Sequence, residues 1–508
     1  MKKVILLTAL LSVHLSVQSQ NISTERQLIE NTIQQYFEGW ATGDSAKVGK
    51  AMHASCHLKN YRDGKFIDYS RSQYLSLLRP RIRPKNLQTR VVSVDITDNM
   101  GSAKVEISTV KDLFTDYFNL MKTNEGWLIA DKVSTNRPHK TFDIDAIRPE
   151  KEVVFEGLKR PWSIAFITEQ DALISEKDGD LVKINLLNKE KTKITGFPSD
   201  MSDSLIGFGD NTGRFEVVLD PDFNKNNFIY LSYAAQKGNL RTTKVIRATL
   251  SESSLKEIKT LFVAEPYTTE RYHYGGGMVF GNDGKLYFTI GERLFTEKDQ
   301  PPVPIAQNFQ DKRGKIYRIN PDGTIPDDNP DFGSQAVPGL YAIGIRAAQG
   351  IAINKSTGEL WFTEHGTHQG DEINILHAGA NYGWPVKTTG KYRYADFKPQ
   401  SDSTIKYTEP LWYWLQTVAP TGLQFYSGNE FKNWNGNLIV GGLSRGSLWR
   451  MVIEGEKIIS TEELFTDSRL RIRKVAQSPA GNLYLLSDEM NGKVIRIKNR
   501  PCLGCNIP

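Results

Sequence analysis

The chain has 508 residues, of which 39% are hydrophobic and 10% aromatic, and its formal net charge is +6. This length exceeds that of an ordinary single domain, the hydrophobic share is ample for a core, and the aromatic share suits a β-rich protein. The charge is mild and no basic run or basic helix stands out, so nucleic acid is not an expected partner. Beyond the N-terminus, no segment is long and apolar enough to predict a membrane span.

Residues 1–19 have the pattern of a secretory signal peptide. A basic start at residues 1–3 precedes a mostly apolar run over residues 4–17, and small residues stand at Val17 and Ser19. This pattern predicts cleavage after Ser19 and export to the periplasm or the extracellular space. A membrane anchor is disfavoured because the apolar run is short and carries several hydroxyl groups.

Residues 21–145 are typical of a small α+β domain. Thr24 and Gln27 have capping-box spacing, and they open a helix whose apolar residues recur with helical period. A second short helix is predicted over residues 45–53. The alternating strands that follow are predicted over residues 89–99, 102–114 and 125–135. The close group of His53, Cys56 and His57 is interpreted as scattered polar residues at a helix end, with a metal cluster as the disfavoured alternative.

One pattern recurs six times from Val153 onward: an apolar triplet, a turn and a second hydrophobic strand. The triplets begin at Ile164, Val217, Met278, Ile351, Leu423 and Val475. The intervening turns carry suitable residues, as in Asn282-Asp283-Gly284, and no convincing helix separates the repeats. Recurrent all-β units predict a six-bladed β-propeller over residues 150–498, in which each repeat forms one sheet.

A tail over residues 499–508 follows the last repeat and holds Cys502 and Cys505. Their spacing suits a small disulfide loop in an oxidising compartment. No histidine follows Cys505 and no further ligands lie close by, so neither a c-type haem site nor a zinc site is predicted.

Strand ends of several repeats meet at one face of a propeller, so a site there draws on several sheets. His273 precedes three glycines in the segment RYHYGGGMVF. The segment 339–385 collects Arg346, His365, Asp371 and Glu372 among several glycines. The segment 468–475 carries Arg469, Arg471 and Arg473 at period two. On a strand these arginines share one face, where like charges require an anion or a flanking carboxylate; a solvated strand edge is the alternative.

The repeats from about Gly157 to Ile497 resemble the soluble pyrroloquinoline-quinone (PQQ)-dependent glucose and aldose sugar dehydrogenases. The resemblance rests on the ordered segments RPWSIAF, LDPDFNKNNFIYLSY, HYGGGMVFGNDGKLYFTIGER, GKIYRINPDGTIPDDNP, GELWFTEHG, GDEINIL, GANYGWP and SPAGNLYLLSD. It implies oxidation of an aldose sugar at C1 to the lactone, with PQQ and Ca²⁺ as cofactors and an unidentified electron acceptor. Part of residues 21–145 resembles the nuclear-transport-factor-2-like superfamily, in its lumazine-binding-like branch, which implies a cone-shaped sheet around a pocket.

The resemblance implies a role for each matching residue. The family's catalytic base falls on His273, whose neutral imidazole would take the proton of the anomeric hydroxyl. The cofactor-binding positions fall on Arg346, Arg471, Arg473, Asn211, Gly275 and Gly276. The arginines would clamp the cofactor carboxylates, and the glycines would let the backbone pass beneath the flat ring system. The calcium ligands fall on the carbonyls of Gly366 and Thr367 for one ion and on Glu372 and the Tyr382 carbonyl for a structural ion.

The sequence also departs from the family pattern around this site. The departures are Gly277 for arginine, Ala347 and Ala348 for asparagine and proline, Asn211 for glutamine, Ser444 for lysine and Glu292 for aspartate. They leave two other functions open: a propeller that binds carbohydrate or protein without cofactor, and a calcium-dependent lactonase-like hydrolase. The hydrolase is disfavoured because arginines stand where acidic and asparagine side chains would be expected.

Overall fold

The computed structural model describes residues 25–499 except 63, 85–86, 110–111, 139–148, 203–210, 295, 400–403, 445 and 466–469. These residues divide into two compact units, one before residue 148 and one from residue 148 onward. The predicted signal peptide, Thr24, Arg469 and the two tail cysteines lie outside the described residues. None of the helices within this described part is long and apolar enough to cross a membrane.

The first unit is a six-stranded sheet with helices on it. Its helices are α1 (25–42), α2 (Ser45–Ala51) and α3 (Arg71–Leu77). Its strands are β1 (Met52–Arg62), β2 (Lys65–Ser70), β3 (Gln88–Thr97), β4 (Met100–Ser108), β5 (Asp112–Thr123) and β6 (Gly126–Pro138). The order across the sheet is β2-β1-β6-β5-β4-β3, and only β1 and β6 run parallel.

The core of this unit lies between α1 and one face of the sheet. Ile29, Ile33 and Tyr36 recur with helical period on α1 and are fully buried. They pack against strand residues such as Phe118, whose ring centroid lies 5.0 Å from that of Tyr36 in an edge-to-face arrangement. The α+β prediction is confirmed. Buried residues of the helices and of the strands pack together into one core.

The prediction of a helix end at His53, Cys56 and His57 is wrong. The second helix ends at Ala51, and all three residues lie on β1. Cys56 points into the core, whereas the His57 ring Nδ1 lies 2.7 Å from Asp68 Oδ1 on β2. The polar residues of β1 hide its alternation, so helix and strand patterns could not be separated over so short a stretch. Among the described residues, no group of three or more His, Cys, Asp or Glu side chains could hold a metal ion.

The described residues of the second unit form six four-stranded sheets, which confirms the predicted six-bladed propeller. The unit opens with β7 (Pro149–Leu158). Sheet 1 contains β8 (Pro161–Phe166), β9 (Asp171–Glu176), β10 (Leu181–Asn185) and β11 (Lys191–Lys193). Sheet 2 contains β12 (Arg214–Leu219), β13 (Phe228–Lys237), β14 (Leu240–Ser251) and β15 (Ser254–Val263), with a short helix α4 (Phe223–Asn226). Sheet 3 contains β16 (Gly275–Phe280), β17 (Leu286–Ile290), β18 (Lys315–Ile319) and β19 (Leu340–Ile343).

The remaining three sheets repeat this arrangement. Sheet 4 contains β20 (Ala348–Ile353), β21 (Leu360–Glu364), β22 (Glu372–Ile375) and β23 (Trp412–Tyr413). Sheet 5 contains β24 (Pro420–Phe425), β25 (Leu438–Gly442), β26 (Leu448–Glu454) and β27 (Lys457–Leu464). Sheet 6 contains β28 (Ile472–Gln477), β29 (Leu483–Ser487), β30 (Gly492–Asn499) and β7. Short 3₁₀ turns cover Glu297–Asp299, Ile305–Gln307 and Lys432–Trp434.

The sixth sheet joins the two ends of the unit, because β7 pairs antiparallel with β30. The first strands of the six sheets contact one another in a closed ring, in the order β8, β12, β16, β20, β24, β28 and back to β8. Within each sheet the first and second strands are antiparallel. The start of every first strand and the end of every second strand therefore lie at the same end of the ring.

Buried hydroxyl groups tie neighbouring inner strands together. They donate hydrogen bonds to carbonyls of the next sheet, from Ser232 to Gly276 at 2.6 Å, from Thr289 to Ala348 at 3.1 Å, from Thr363 to Thr421 at 2.7 Å and from Thr421 to Ile472 at 2.7 Å. Because buried polar groups are costly unless bonded, these contacts fix the inner strands relative to one another. The ring of inner strands therefore holds the side chains at its ends in defined positions.

Candidate functional site

A cavity of about 90 Å³, partly open to solvent, lies at one end of the ring. All six sheets line it. The lining residues are Arg160, Trp162, Lys177, Asn211, Phe215, His273, Tyr274, Gly275, Gln349, His365, Leu443, Arg471 and Arg473. Most of them stand just before a first strand or just after a second strand, where the antiparallel pairing brings these positions together.

His273 lies at the start of sheet 3, in the left-handed backbone region with φ of +49°. For a residue other than glycine this conformation is uncommon and often marks a functional position. Its side chain is 16% exposed, and its Nε2 atom lies 3.3 Å from Arg346 Nη2. A guanidinium has no acceptor, so Nε2 accepts this hydrogen bond and the ring is neutral. Burial, together with the charge of Arg346, holds the His273 pKa well below its usual range.

Glu292 lies behind the histidine ring. Its Oε1 atom is 4.0 Å from His273 Nδ1, and its Oε2 atom accepts hydrogen bonds of 2.6 Å from Gln300 Nε2 and Trp384 Nε1. The carboxyl group is almost fully buried, and this burial raises its pKa to about 7, against the opposing influence of Arg346. The histidine therefore has a fixed carboxylate on the side away from Nε2.

Arg346, just before β20, is buried and contacts both sides of the site. Its Nη1 atom donates to the carbonyls of His365 at 3.2 Å and Gly366 at 2.7 Å, while Nη2 contacts His273. Its backbone N–H donates to the Glu364 carboxylate. The guanidinium carbon lies 5.3 Å from the Trp384 ring centroid, which keeps the side chain in place.

His365, the first residue after β21, contributes a second imidazole to the cavity. Its Nε2 atom donates to the Pro420 carbonyl at 2.9 Å, since a carbonyl only accepts. Burial lowers the His365 pKa to about 4, so this ring is also neutral near pH 7. The single ring proton of His365 is then on Nε2, so Nδ1 is able to accept a hydrogen bond.

The opposite side of the cavity is cationic. Arg471 and Arg473 both contact Asp488 Oδ2, at 2.9 and 3.4 Å, and Arg473 also donates to Gln349 Oε1 at 3.2 Å. Asp488 is the flanking carboxylate that the alternating arginines require, and its pKa lies well below the usual range although burial opposes this shift. Arg471 is 48% exposed and Arg473 only 7%. Arg473 is therefore the more strongly desolvated of the two clamps.

Sheet 1 adds two cations that the sequence analysis missed. Arg160 Nε lies 3.4 Å from Asp488 Oδ1, and its Nη1 atom lies 3.3 Å from Asp178 Oδ2. Lys177, the first residue after β9, is 3% exposed and lines the cavity. Arg160, Arg471 and Arg473 thus contact the described carboxylates Asp178 and Asp488 at this side, and Lys177 lies near them.

The structure also shows a packing reason for Gly275 and Gly276, which follow His273. A Cβ at Gly275 would lie 2.8 Å from Gly291 N and from Thr289 O, and one at Gly276 would lie 2.8 Å from the Phe215 ring. Both glycines also have positive φ, at +72° and +100°. The protein's own strands therefore exclude a side chain at either position; Gly275 lines the cavity, and Gly276 packs on Phe215.

The expected calcium positions lie on the third strand of sheet 4 or in the segments that follow its second and third strands. The Gly366 carbonyl accepts the Arg346 hydrogen bond, and Thr367 Oγ1 is buried without a hydrogen-bond partner among the described residues. Glu372 accepts from Thr389 Oγ1 at 2.6 Å and pairs across the strands with Glu364. Burial and this mutual repulsion raise the pKa of Glu364 to about 8, and burial also raises that of Glu372.

Tyr382 packs in the core between sheets rather than in the cavity. Its hydroxyl donates to the Ile375 carbonyl at 2.5 Å and accepts from the His377 N–H at 3.0 Å. Its ring lies edge-on to Phe362, with centroids 4.9 Å apart. The side chain thus fixes the loop that presents the Tyr382 carbonyl.

The positions that depart from the family pattern surround the cavity. Asn211 is exposed and lines it, and Ser444 is exposed beside the lining residue Leu443. Ala347 and Ala348 are buried at the start of β20. Gly277 donates its N–H to Thr289 Oγ1 at 3.1 Å, inside the inner ring. Gly277 and Ser444 lack the charge of the arginine and lysine of the family pattern, and Ala347 lacks the amide of the asparagine, whereas Asn211 keeps the amide group of glutamine.

The six-bladed propeller and the cavity with a neutral histidine and several cations agree with the expected sugar dehydrogenase class. The model of the Glucose / Sorbosone dehydrogenase family matches residues 158–496, and the Putative lumazine-binding model matches residues 24–134. The chain therefore belongs to the glucose/sorbosone dehydrogenase family, with a lumazine-binding-like first unit. Both resemblances predicted from the sequence are confirmed.

Three known proteins illustrate this relationship. Aldose sugar dehydrogenase YliI of Escherichia coli K12 is 33% identical over 359 residues, which are 69% of this chain and 92% of that protein. Quinoprotein glucose dehydrogenase B of Acinetobacter calcoaceticus is 26% identical over 413 residues, 67% of this chain and 85% of that protein. The crystal structure of the E. coli soluble aldose sugar dehydrogenase in its apo-form superposes with a TM-score of 0.63 at 33% identity, over 70% of this chain and 100% of that chain.

Proposed function

We propose that the protein is a PQQ- and calcium-dependent dehydrogenase that oxidises an aldose sugar at C1 to the lactone. The observation that carries this proposal is the neutral His273 ring, whose Nε2 acceptor lies beside Arg346 at one side of a cavity that is cationic at the other. A neutral imidazole is suited to removing a proton from a substrate hydroxyl, and the cationic side is suited to an anionic ligand.

The residues present fit the tricarboxylate PQQ. Among the described residues, Nε of Arg346 and Nε of Arg473 are buried N–H donors without an acceptor. Buried donors without partners are costly, and carboxylate oxygens would satisfy them. Arg473 and Arg471 would hold the cofactor from one side and Arg346 from the other. When bound, PQQ supplies a quinone that accepts two electrons as hydride.

The oxygen groups of sheet 4 fit a hard cation. Glu364 and Glu372 are carboxylates with raised pKa values that face each other, and a divalent cation nearby would relieve their repulsion. Gly366 and Thr367 would supply carbonyls at the cavity. Arg346 already donates to the Gly366 carbonyl, so a calcium ion there would compete with the guanidinium.

His273 would act as the base. Its lowered pKa keeps Nε2 free of a proton near pH 7, so it can accept the proton of the substrate's anomeric hydroxyl. As this proton leaves, the C1 hydrogen departs with its electron pair, and the C1–O bond becomes the lactone carbonyl. The Glu292 carboxylate, 4.0 Å from Nδ1, would stabilise the imidazolium that forms.

The test is reconstitution of the purified full chain. PQQ and Ca²⁺ would be titrated while cofactor absorbance and dye reduction by a panel of aldoses are followed. We expect uptake of the cofactor and sugar-dependent dye reduction that requires both cofactors. Absence of uptake at micromolar PQQ would contradict the proposal and favour the cofactor-free binding propeller. Sugar-independent lactone hydrolysis with calcium alone would favour the hydrolase.

We further propose that the protein acts outside the cytoplasm. The support is the basic, apolar and small-residue pattern of residues 1–19. Mass spectrometry of the protein expressed with its own N-terminus should show a mature chain that begins after Ser19. Retention of residues 1–19 on the active protein would contradict export by this route.

A further inference from the structure

Two neutral side chains hold the Glu292 carboxylate, and neither has a role in the reaction proposed above. Gln300 Nε2 and Trp384 Nε1 each donate a hydrogen bond of 2.6 Å to Glu292 Oε2. Gln300 lies in the segment between β17 and β18, and Trp384 lies in the segment between β22 and β23. Because both donors bind Oε2, the other oxygen, Oε1, is the one that faces His273 Nδ1 at 4.0 Å.

The backbone fixes the orientation of the Gln300 amide. The Ile305 N–H donates to Gln300 Oε1 at 3.0 Å, so the amide nitrogen, which only donates, faces Glu292. Ile305 is buried, and its carbonyl accepts a hydrogen bond of 2.8 Å from Lys315 Nζ. The Gln300 side chain is therefore held as a donor to the carboxylate and is not free to turn its oxygen towards it.

The Trp384 indole ring contacts both groups that flank His273. Its Nε1 atom binds Glu292, and the ring centroid lies 5.3 Å from the guanidinium carbon of Arg346. The Trp384 backbone N–H donates to the Gly344 carbonyl at 3.0 Å, which ties this segment to the end of sheet 3. The second donor to Glu292 is thus part of the same wall that holds Arg346.

The Glu292 carboxyl group is balanced between its two protonation states. The charged or titratable groups that face it are His273, Arg346, Arg313 and Lys315. Burial raises the Glu292 pKa to about 7, although Arg346, the two neutral donors and Arg313 all act in the opposite direction. Hydrogen bonds to a carboxylate favour its ionised form. Loss of either donor should therefore have a measurable effect on ionisation near pH 7.

We propose that Gln300 is a positioning residue for the base. Together with Trp384, it keeps the Glu292 carboxylate ionised and directs Oε1 at His273, so that the carboxylate can stabilise the imidazolium that forms during turnover. The inference rests on the proposed function, because the imidazolium forms only in that reaction. A carboxyl group that carries a proton, or that turns away, would stabilise the imidazolium less.

The first experiment follows the His273 ring by NMR in the full chain, labelled in histidine and free of cofactor. The low pKa of His273 keeps its ring neutral above pH 6, so a change of its resonance near pH 7 reports the ionisation of Glu292. The resonance is identified by its absence from His273→Ala. The change itself should disappear in Glu292→Gln. For the wild type we expect a midpoint near pH 7.

Two variants each remove one donor with little change of shape. Q300M keeps an unbranched side chain of similar length, and W384F keeps an aromatic ring against Arg346. In each variant the midpoint should rise by about one pH unit, because the ionised carboxyl loses a charged hydrogen bond. The control Q310L changes an exposed glutamine of the same segment and should match the wild type. Thermal melting checks that each variant is folded, and either one alone decides the outcome.

The second experiment measures kcat/KM for the sugar against pH with saturating PQQ and Ca²⁺. If Glu292 has to be ionised, Q300M should be slower by up to about tenfold on the acid side of the profile. It should approach the wild type at high pH, with unchanged PQQ affinity. The same loss at every pH would show that Gln300 acts only through the structure, and would overturn the inference.

The two experiments separate this inference from the proposed function. Midpoints equal to that of the wild type in both Q300M and W384F would overturn the inference and leave PQQ binding and dye reduction intact. No PQQ binding by the wild type would overturn the proposed function and, with it, the role of Gln300 in turnover, whatever the midpoints are.

Discussion

Lys132 and Lys177 are both buried lysines, one in each unit, but their surroundings differ. Lys132 Nζ lies 2.9 Å from Asp116 Oδ2 and 5.3 and 5.6 Å from the ring centroids of Tyr36 and Tyr74. Burial lowers the Lys132 pKa, but Asp116 and Tyr74 raise it by more, so it ends above its usual value. Lys177 lies near Asp178 and Asp488, which also contact arginines, and burial together with the charges of Arg160 and Arg473 lowers its pKa to about 7.

The difference separates a structural cluster from a binding site. A buried cation with its own carboxylate and aromatic faces is complete, and it stabilises only the fold around it. A group of arginines that lines a cavity, by contrast, is able to bind an anionic ligand. Mutations in the first cluster should therefore change stability, and mutations in the second should change binding or turnover.

The largest effect is expected for His273→Ala in the cavity. Loss of the general base should lower sugar-dependent dye reduction by about 10²–10⁴-fold, because proton removal then depends on solvent. PQQ affinity and the melting temperature should stay close to those of the wild type, because the substitution removes one long hydrogen bond, of 3.3 Å, between the His273 ring and Arg346. Steady-state kinetics with saturating PQQ and Ca²⁺ measure this. Undiminished turnover would show that another group is the base.

Lys132→Met should mainly destabilise the first unit. It leaves the Asp116 carboxylate buried without its cation, which costs about 3–5 kcal/mol of unfolding free energy. Hydrogen exchange over residues 25–138 would measure this locally, because a chain of two units need not unfold in one step. PQQ binding should not change.

A double variant provides the control for this expectation. Lys132→Met combined with Asp116→Leu removes both charges, and it should recover much of the lost stability. If the double variant is no more stable than the single one, the ion pair is not the cause. If Lys132→Met weakens PQQ binding, the assignment of Lys132 to structure alone is wrong.

The sequence predicted the architecture where the signal is local. Each of the six strand pairs carries its own alternation and turn residues, so the sheets could be counted from the repeats. The pairing of β7 with β30 joins segments at opposite ends of the repeats, and no local pattern announces it. The strand β1 was missed because its polar residues obscure the alternation.

The site was predicted less completely than the fold. His273, Arg471 and Arg473 were recognised from family motifs, and the structure brings them to one cavity. Lys177 and Asp488 were missed, because each looks like an ordinary turn residue in its own repeat. Both follow a second strand directly, as His365 does, so aligning the repeats at this position would have found them. The grouping of cations at one side of the cavity also depends on the three-dimensional fold, because these residues come from distant segments of the chain.

Arg473→Ala should weaken PQQ binding without destabilising the protein. Loss of a buried charged hydrogen bond to a carboxylate costs about 1.5–3 kcal/mol, or roughly 10–150-fold in affinity. Arg471→Ala should have a smaller effect because Arg471 is 48% exposed. Fluorescence or absorbance titration with PQQ measures both. Arg450→Ala removes a cation on the third strand of sheet 5 and serves as the control. If Arg450→Ala lowers PQQ affinity as much as Arg473→Ala does, the cavity arginines have no specific role in PQQ binding.

The smallest effect is expected for Glu292→Gln, which tests whether the buried Glu292 carboxylate lowers stability while it assists turnover. Glu292 has a pKa of about 7 in the folded protein against an ordinary value of 4.5. Between these pH values the folded state keeps a proton that the unfolded state has lost, so stability falls as pH rises through 7. Glu292→Gln removes this penalty and should slow turnover, because the imidazolium of His273 loses its carboxylate.

The stability gain of Glu292→Gln should be about 1–2 kcal/mol at pH 8, less than the pKa shift implies, because the amide no longer attracts Arg346. Near pH 5 the carboxyl of the folded wild type is protonated and that of the unfolded chain is only partly ionised, so the gain should be much smaller than at pH 8. Denaturant unfolding at the two pH values measures it, with the exposed Glu190→Gln as the control. An equal gain at both pH values would show that the substitution acts through packing, and the cavity would then not be destabilised by its charges.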